Sequence, residues 1–277
     1  MLNREIISIF DMSAAAGWVL EPDAKKIFKL AGFDVSEFAM ARTAPEATLF
    51  AGAIGYPVAA KVVSPDIIHK SDVGGVALGL KGPEDLEKAY KRFSAMPGFI
   101  GVVVEKMLSG VELIIGAKND AQFGPVVLLG MGGVGVDIYR DTAIRMAPLK
   151  REDVELMVSS LAARKVIEGH RGSEPVDMER LISTLINFSQ FVMELESRVD
   201  SIDLNPVMCS GPNCWTTRAS PLQQPGMSTT RSSRPCRRPA CPFSASPFRC
   251  WGRVSCSCWR PSSWPSSSPP RSTRAPA

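Results

Sequence analysis

The sequence predicts an α+β (α/β) protein of two lobes with mixed sheets, and three observations carry that reading. Helix-like and strand-like segments alternate, several strand-like runs hold a charged residue at or near one end, and a glycine loop joins two runs as a hairpin. Pro22 to Leu30 reads as a helix with Pro22 in its first turn and Gly32 as its stop, followed by a strand around Val35 to Met40. Pro45 to Ile54 is a second helix, Pro57 to Val63 a buried strand and Val76 to Leu80 its hairpin neighbour, after which Pro83 opens a helix. Ile100 to Met107 and Val111 to Ala117 read as strands separated by Leu108-Ser-Gly110, and Pro125 to Leu129 as a very apolar strand. Arg151 to Ala162 and Asp177 to Leu195 read as helices, the second because Leu181, Leu185, Phe188, Val192 and Leu195 recur at helical spacing. Val199 to Leu204 is the last strand and ends at Asn205-Pro206.

Composition divides the chain near Cys214-Trp215. Residues 215–277 contain no Asp, Glu or Lys but 10 Arg, 14 Ser and 11 Pro, a mixture without the periodicity to bury a core. They are expected to be a disordered Arg/Ser/Pro-rich tail. The net charge of +4 splits into −6 for residues 1–214 and +10 for the tail, so the basic balance belongs to the tail alone. Only Cys209 and Cys214 lie in the globular part, with no Cys-x-x-Cys spacing, which fits a reducing compartment and predicts no metal–thiolate site. The apolar run Ala14 to Leu20 lacks the arrangement of a signal peptide, and no stretch reaches membrane-spanning length. A cytoplasmic protein without a membrane partner is expected.

The most informative stretch runs from Lys61 to Val76. A lysine closes an apolar strand, a polar loop carries His69, Lys70 and Asp72, and the paired Gly74 and Gly75 precede the next strand. Glycines let backbone N–H groups approach an oxyanion and lysine adds a point charge, so the loop has the parts for handling phosphate. The cluster Gly130-Met-Gly132-Gly133-Val-Gly135 has dinucleotide-fingerprint spacing, but the residues after it lack helical patterning. That fingerprint needs its glycines to open a helix whose N-terminus holds pyrophosphate, so a glycine turn bringing Asp137 and Arg145 near a ligand is the better reading. The P-loop pattern is absent. Lys61, Glu105, Glu112 and the pair Asp203 and Asn205 punctuate four apolar strands; each alone is an ordinary edge charge, and together they favour a ligand cleft.

Five segments carry a family resemblance: Gly55-Tyr-Pro-Val-Ala-Ala-Lys61, Ser64-Pro-Asp-Ile-Ile-His-Lys-Ser-Asp-Val-Gly-Gly-Val76, Gln122-Phe-Gly-Pro-Val-Val127, Arg145-Met-Ala-Pro-Leu149 and Ile202-Asp-Leu-Asn-Pro206. In this order they resemble the ATP-grasp (β-type) subunit of ADP-forming acyl-CoA (acetyl-CoA) synthetases, over roughly residues 8–213. The resemblance implies an ATP-grasp domain over 1–214, with a smaller lobe of about 22–106 and a larger lobe of about 107–214 clasping ATP or ADP. Lys61 resembles the lysine that contacts the nucleotide phosphates, with Lys70, Gly74 and Gly75 in the adjoining loop. The segment from Val102 to Leu108 resembles the adenine hinge, where Glu105 or nearby backbone groups accept from the amino group and Met107 packs the ring. Glu112 looks like the carboxylate that receives the ribose hydroxyls. Asp203 and Asn205 match the acid-x-Asn pair that holds Mg²⁺, alternate residues of an extended strand that point the same way. Asp137 supplies a further carboxylate, with Asp141 a competing choice, and Arg145 is placed to stabilise the transferring phosphoryl group.

In the resembling enzymes a phosphohistidine on a CoA-binding α-type partner brings phosphate to the ATP-grasp site. His69 is then either a second station in that relay, since imidazole nitrogen can accept a phosphoryl group and release it, or a phosphate contact. The chain holds no CoA-binding domain of its own, so acyl-CoA is reached only through the α-type partner in a hetero-oligomer. A nucleotide-binding regulatory module related to acyltransferase-fused ATP-grasp domains is the alternative. A carboxylate–amine ligase is disfavoured by the His-Lys-Ser-Asp string.

The tail has no counterpart in that family, and we read it as the product of a frameshift. If Cys214-Trp-Thr-Thr-Arg came from G/C-rich codons, one base restored after the first codon would give Cys-Val-Asp-Asp-Ala, a plausible continuation of the domain. The competing reading is an arginine-rich arm that neutralises nucleic-acid phosphates, but its tryptophans and arginines have no fold to present them. Resequencing the coding DNA is expected to reveal a shifted frame near position 214; a continuous frame, with the tail present in purified protein, would refute the idea.

Overall fold

In the computed structural model, residues 2–133, 141–170, 174–195, 198–217 and 222–223 are described. Helix α1, Arg4–Ser13, is capped by the Asn3 side chain, which accepts from Ile6 N–H at 2.8 Å, and it buries Ile6, Ile9 and Phe10. The two-residue strand β1, Trp18–Val19, leads into α2, Glu21–Leu30, which has Pro22 in its first turn. Strand β2 is Phe38–Ala41, and α3, Ala44–Ile54, starts at Thr43, whose hydroxyl accepts from Glu46 N–H. Strands β3, Val58–Val63, and β4, Val76–Leu80, flank the His69 loop; α4, Pro83–Ser94, and β5, Gly101–Lys106, complete the smaller lobe.

The smaller sheet has the order β2-β5-β3-β4 and is antiparallel throughout. One face, Val58, Ala60, Val62, Val102 and Val104, packs against Ala47 and Ala51 of α3 and Leu86, Ala89 and Phe93 of α4. Lys61 lies opposite Val103, and Glu105 lies opposite Ala59, so by the two-residue period of strands both project from the other face, where they meet Glu21 and Lys25 of α2.

The larger lobe contains β6, Val111–Asp120, β7, Gly124–Met131, β8, Thr142–Met146, α5, Arg151–Ser160, the short α6, Arg164–Ile167, and α7, Met178–Leu195. It ends with β9, Ser201–Ser210, β10, Asn213–Thr216, and β11, Leu222–Gln223. The strand order is β1-β11-β9-β6-β7-β8, with β10 beside β9. Leu113, Ile115, Ala117, Val127 and Leu129 share a core with α7 and also with α1 and α2, where Phe28 packs its ring against Phe188 and Phe191. Each such fully buried phenylalanine contributes ~2–3 kcal/mol of burial free energy.

The two-lobe α+β architecture is as expected, while several boundaries move. Helix α2 was expected to open the smaller lobe, but Ala24, Ile27 and Phe28 lie in the larger lobe's core, so the smaller lobe starts at about β2. Strand β9 does not end at Asn205-Pro206; it runs on to Ser210 because β6 continues to pair with it past a register shift. The expected seam at 214 is also passed, since Trp215 and Thr216 pair with Met208 and Val207 in a hairpin. Cys209 and Cys214, expected to be reduced, face each other across that hairpin and form a disulfide. Residues 218–221 and 224–277 of the expected tail lie outside the described residues. No described helix is long and apolar enough to cross a membrane.

Gly75 shows how tightly the smaller lobe is closed around its loop. A Cβ there would stand 2.6 Å from Val62 Cγ1 and 3.0 Å from the Lys70 carbonyl oxygen, whereas one at Gly52 in α3 would meet nothing within 4 Å. Gly75→Ala is expected to lower stability by ~1–3 kcal/mol through overpacking, and Gly52→Ala to raise it by up to ~1 kcal/mol through helix propensity. Denaturant titration of both variants checks the contrast; equal effects would contradict it.

Candidate functional site

Lys61 sits in a buried cluster of charges that joins the lobes. Its ammonium reaches Glu21 Oε1 at 3.1 Å, Glu105 Oε1 at 2.5 Å and the Thr217 carbonyl at 2.9 Å. Glu21 stands at the start of α2, and its other oxygen accepts from Lys70 at 2.8 Å. Lys25, one turn further along α2, is paired with Glu105, donates to Ser36 Oγ at 2.9 Å and lies 4.9 Å from the centre of the Phe38 ring. Ser36 in turn donates to Glu105 at 3.2 Å. All five charged residues are nearly inaccessible to solvent, between 0% and 5% exposed.

Charges this deep survive only when paired, and the cluster pairs each of them. Burial alone pushes the Glu21 carboxyl up, but the Lys61, Lys70 and Lys25 ammoniums outweigh it and hold the carboxyl at about 2. For Lys61, burial pulls the pKa down and the Glu105 and Glu21 carboxylates more than restore it, leaving it raised. For Lys25, burial wins over the pull of Glu105 and its pKa is lowered.

The loop between β3 and β4 divides its residues between inside and outside. Lys70 is buried on Glu21, and His69 beside it is exposed. The glycine pair does not offer its amides to a ligand as expected: Gly74 N–H donates to the Ser71 carbonyl and Gly75 N–H to the Lys70 carbonyl. These bonds close the turn that aims Lys70 inward. Glu105 also differs from expectation. Its carboxylate is held by Lys25, Lys61 and Ser36, while Met107, two residues on, is half-buried.

On the larger sheet, Asp203 lies opposite Gly116, and Glu112, Ile114 and Gly116 alternate along β6 on one face. Glu112 and Asp203 therefore share the helix-free face, about 13 Å apart along the strand direction at a rise of ~3.3 Å per residue. Gly132 N–H donates to the Glu112 carbonyl at 2.7 Å. Gly133 has φ +74, a conformation that favours glycine, and a Cβ on Gly132 would stand 2.9 Å from the Glu112 carbonyl carbon, so the glycines let the chain pass close over the Glu112 backbone.

Arg145 is not brought to that face. It lies opposite Val127, a core residue, on the edge strand β8, and its guanidinium donates to the Ile144 carbonyl. Asp141, the competing metal ligand, is engaged by Ala162 and Ala163 N–H at 2.7 and 2.8 Å. Asp137, the first choice, lies outside the described residues. Among the described residues no three His, Cys, Asp or Glu gather as a metal set. Asp203 and Asn205 nevertheless supply two hard oxygen donors on one strand, as Mg²⁺ shared with phosphate requires.

Glu21 and Lys25 were missed as site residues. Glu21, Ala24, Lys25 and Phe28 follow helical spacing and are all buried, so α2 carries two opposite charges on its apolar face. That placement was the available signal.

Residues 12–220 match the model of an ATP-grasp domain. The chain is 40% identical over 197 residues to the acetate–CoA ligase (ADP-forming) I subunit β of Pyrococcus furiosus, covering 68% of this chain and 84% of that one. It is 37% identical over 216 residues to subunit β of the type II enzyme of the same organism, covering 74% and 92%. Among solved structures, a chain of the dinucleotide-forming acetyl-coenzyme A synthetase 1 of Ca. Korarchaeum cryptofilum, in complex with coenzyme A, Ca-AMPCP and HgCl⁺, superposes with a TM-score of 0.73. It shares 36% identity, over 78% of this chain and 99% of that one.

The cluster sets a pH dependence. Glu21 titrates at about 2 in the folded protein against an ordinary 4.5, so its contribution is full above pH 4.5 and is lost as the pH falls toward 2. A shift of this size corresponds to on the order of 3 kcal/mol. Wild type is expected to lose more stability than Glu21→Gln between neutral pH and pH 2, read by thermal unfolding; parallel acid profiles would remove Glu21 from the ledger of folding.

Proposed function

We propose, because the chain belongs to the ATP-grasp family and matches β subunits of ADP-forming acetate–CoA ligases over most of their length, that it is the nucleotide-binding subunit of such a ligase. The observation that carries this reading is the match to relatives named as β subunits of acetate–CoA ligases, in a chain that has Lys61 on β3 of the smaller sheet and Asp203 and Asn205 on β9 of the larger. The overall reaction is acyl-CoA + ADP + phosphate ⇌ acid + CoA + ATP, a carbon–sulfur ligation when run in reverse. The step on this chain is phosphoryl transfer: a terminal oxygen of ADP forms a bond to phosphorus as the phosphorus–nitrogen bond of a phosphohistidine breaks, and the imidazole keeps the electron pair. A CoA-binding α-type subunit supplies that phosphohistidine and the acyl pocket, and the compartment is the cytoplasm.

Each residue then has a physical task. Lys61 neutralises phosphate charge with Lys70 behind it, Glu112 accepts from the ribose hydroxyls, and Met107 packs against the base. Asp203 and Asn205 hold Mg²⁺, which when bound neutralises charge on the phosphate oxygens. His69, exposed on the loop whose next residue is buried, stands where a phosphoryl group arriving from outside can be met. Arg145 has no task in this scheme, since it lies on the opposite face of the sheet. A purely regulatory nucleotide sensor is not favoured, because the closely similar relatives are named as ligases.

Three substitutions in the full chain, assayed with the CoA-binding subunit, test the scheme. Lys61→Ala is expected to weaken Mg·ATP binding by about tenfold or more, the scale of a lost charge-assisted contact. His69→Asn should leave binding within about twofold while phosphoryl transfer falls by roughly a hundredfold, the scale of a lost transfer group. Asp203→Ala should lower both the rate and its dependence on Mg²⁺. Full transfer activity in the His69 variant would end the relay role, and an unchanged Mg²⁺ dependence in the Asp203 variant would end the metal assignment.

A further inference from the structure

Lys61 has no donor left to give a phosphate. An ammonium carries three N–H groups, and those of Lys61 are taken by Glu21, Glu105 and the Thr217 carbonyl. A nucleotide can engage this lysine only if one of the three lets go.

The partners differ in how readily they can do so. Glu105 makes the shortest contact, at 2.5 Å, and belongs to the strand paired with that of Lys61, so the two residues are fixed in one sheet. Thr217 is tied in place by its own hydroxyl, which donates to the Pro206 carbonyl at 2.8 Å. Glu21 makes the longest contact, at 3.1 Å, and comes from α2, whose apolar residues belong to the larger lobe's core. It also has a second ammonium, Lys70 at 2.8 Å, which would keep it neutralised after Lys61 left. The charge balance points the same way. Three ammoniums, Lys25, Lys61 and Lys70, face two carboxylates, Glu21 and Glu105, so the cluster has one positive charge in excess, which an arriving anion offsets.

We propose that Glu21 is a positioning residue that serves as the exchangeable counter-ion of Lys61: it holds the ammonium while no nucleotide is bound and yields it to a nucleotide phosphate, with Lys70 remaining on Glu21. This rests on the reading of Lys61 as a phosphate-binding lysine. Glu21 is thus an internal competitor of the phosphate, and it touches neither base nor ribose. Its removal changes affinity only for ligands that carry phosphate.

Calorimetry on the full chain with Mg·ADP and with adenosine separates these effects. Glu21→Gln, which keeps the shape and removes the charge, is expected to tighten ADP about tenfold, the scale of one hydrogen bond between charged groups, and to leave adenosine within about twofold. The double variant Glu21→Gln with Lys25→Met restores the single excess positive charge and guards against loss of the fold; the same gain for ADP is expected in it. An ADP affinity that is unchanged, or that falls together with adenosine, would overturn the exchange. Lys61→Met tests the underlying reading separately: if it preserves the wild-type preference for ADP over adenosine, Lys61 is not the phosphate lysine and the proposal falls with that reading.

Discussion

The buried cluster of Glu21, Lys25, Lys61, Lys70 and Glu105 is the constraint around which the two lobes are arranged. Five ionised groups removed from water would each cost several kcal/mol if unpaired, so the elements that carry them must arrive together. Helix α2 brings two of them, β3 and β5 one each, and the loop after β3 the fifth. Helix α2 is fixed through Phe28 to Phe188 and Phe191 of the larger lobe, and β3 and β5 belong to the smaller sheet. The electrostatic bridge therefore spans two hydrophobic cores that are otherwise distinct.

The same plan accounts for where chemistry is possible. Each sheet packs one face on its core helices, and apolar core residues alternate along the strands with groups such as Lys61, Glu105, Glu112 or Asp203 on the other, where Lys61 and Glu105 meet the charges of α2. Glycine appears where backbone must pass close to those groups. Gly75 lets the loop return against Val62, and Gly132 lets the chain cross Glu112. A rigid sheet supplies position, and the glycines supply clearance.

Much of this was legible in the sequence because it depends on local pattern. Strand β4 falls at the expected residues, and the long helix α7 follows from apolar residues spaced for one face. What was not legible depends on tertiary context. Helix α1 was overlooked because Ile6, Ile9 and Phe10 form too short an apolar stripe to stand out before the alanine run. Strand β9 was cut at Asn205-Pro206 because a proline normally ends a central ladder, whereas here β6 shifts register and the pairing resumes. The site residues on strand ends were named from their sequence setting, but their partners were not. Glu21 reads as an ordinary first-turn acid, and Glu105 as a hinge acceptor, until folding places three lysines around them.

The contact between Lys61 and residue 217 is made through a main-chain oxygen. Strand β10 is likewise joined to β9 by backbone pairing from Asn213 to Thr216. A change of reading frame after Cys214 rewrites side chains and leaves the order of amides and carbonyls as it was. The chain could therefore swap its chemical vocabulary at this point and still finish the hairpin and present an oxygen to the buried lysine. What it would change is written in side chains alone, such as the Thr217 hydroxyl, absent from the restored reading, that ties this segment to the Pro206 carbonyl. The lysine's last partner is thus set by backbone geometry, and is indifferent to the letter that the gene spells there.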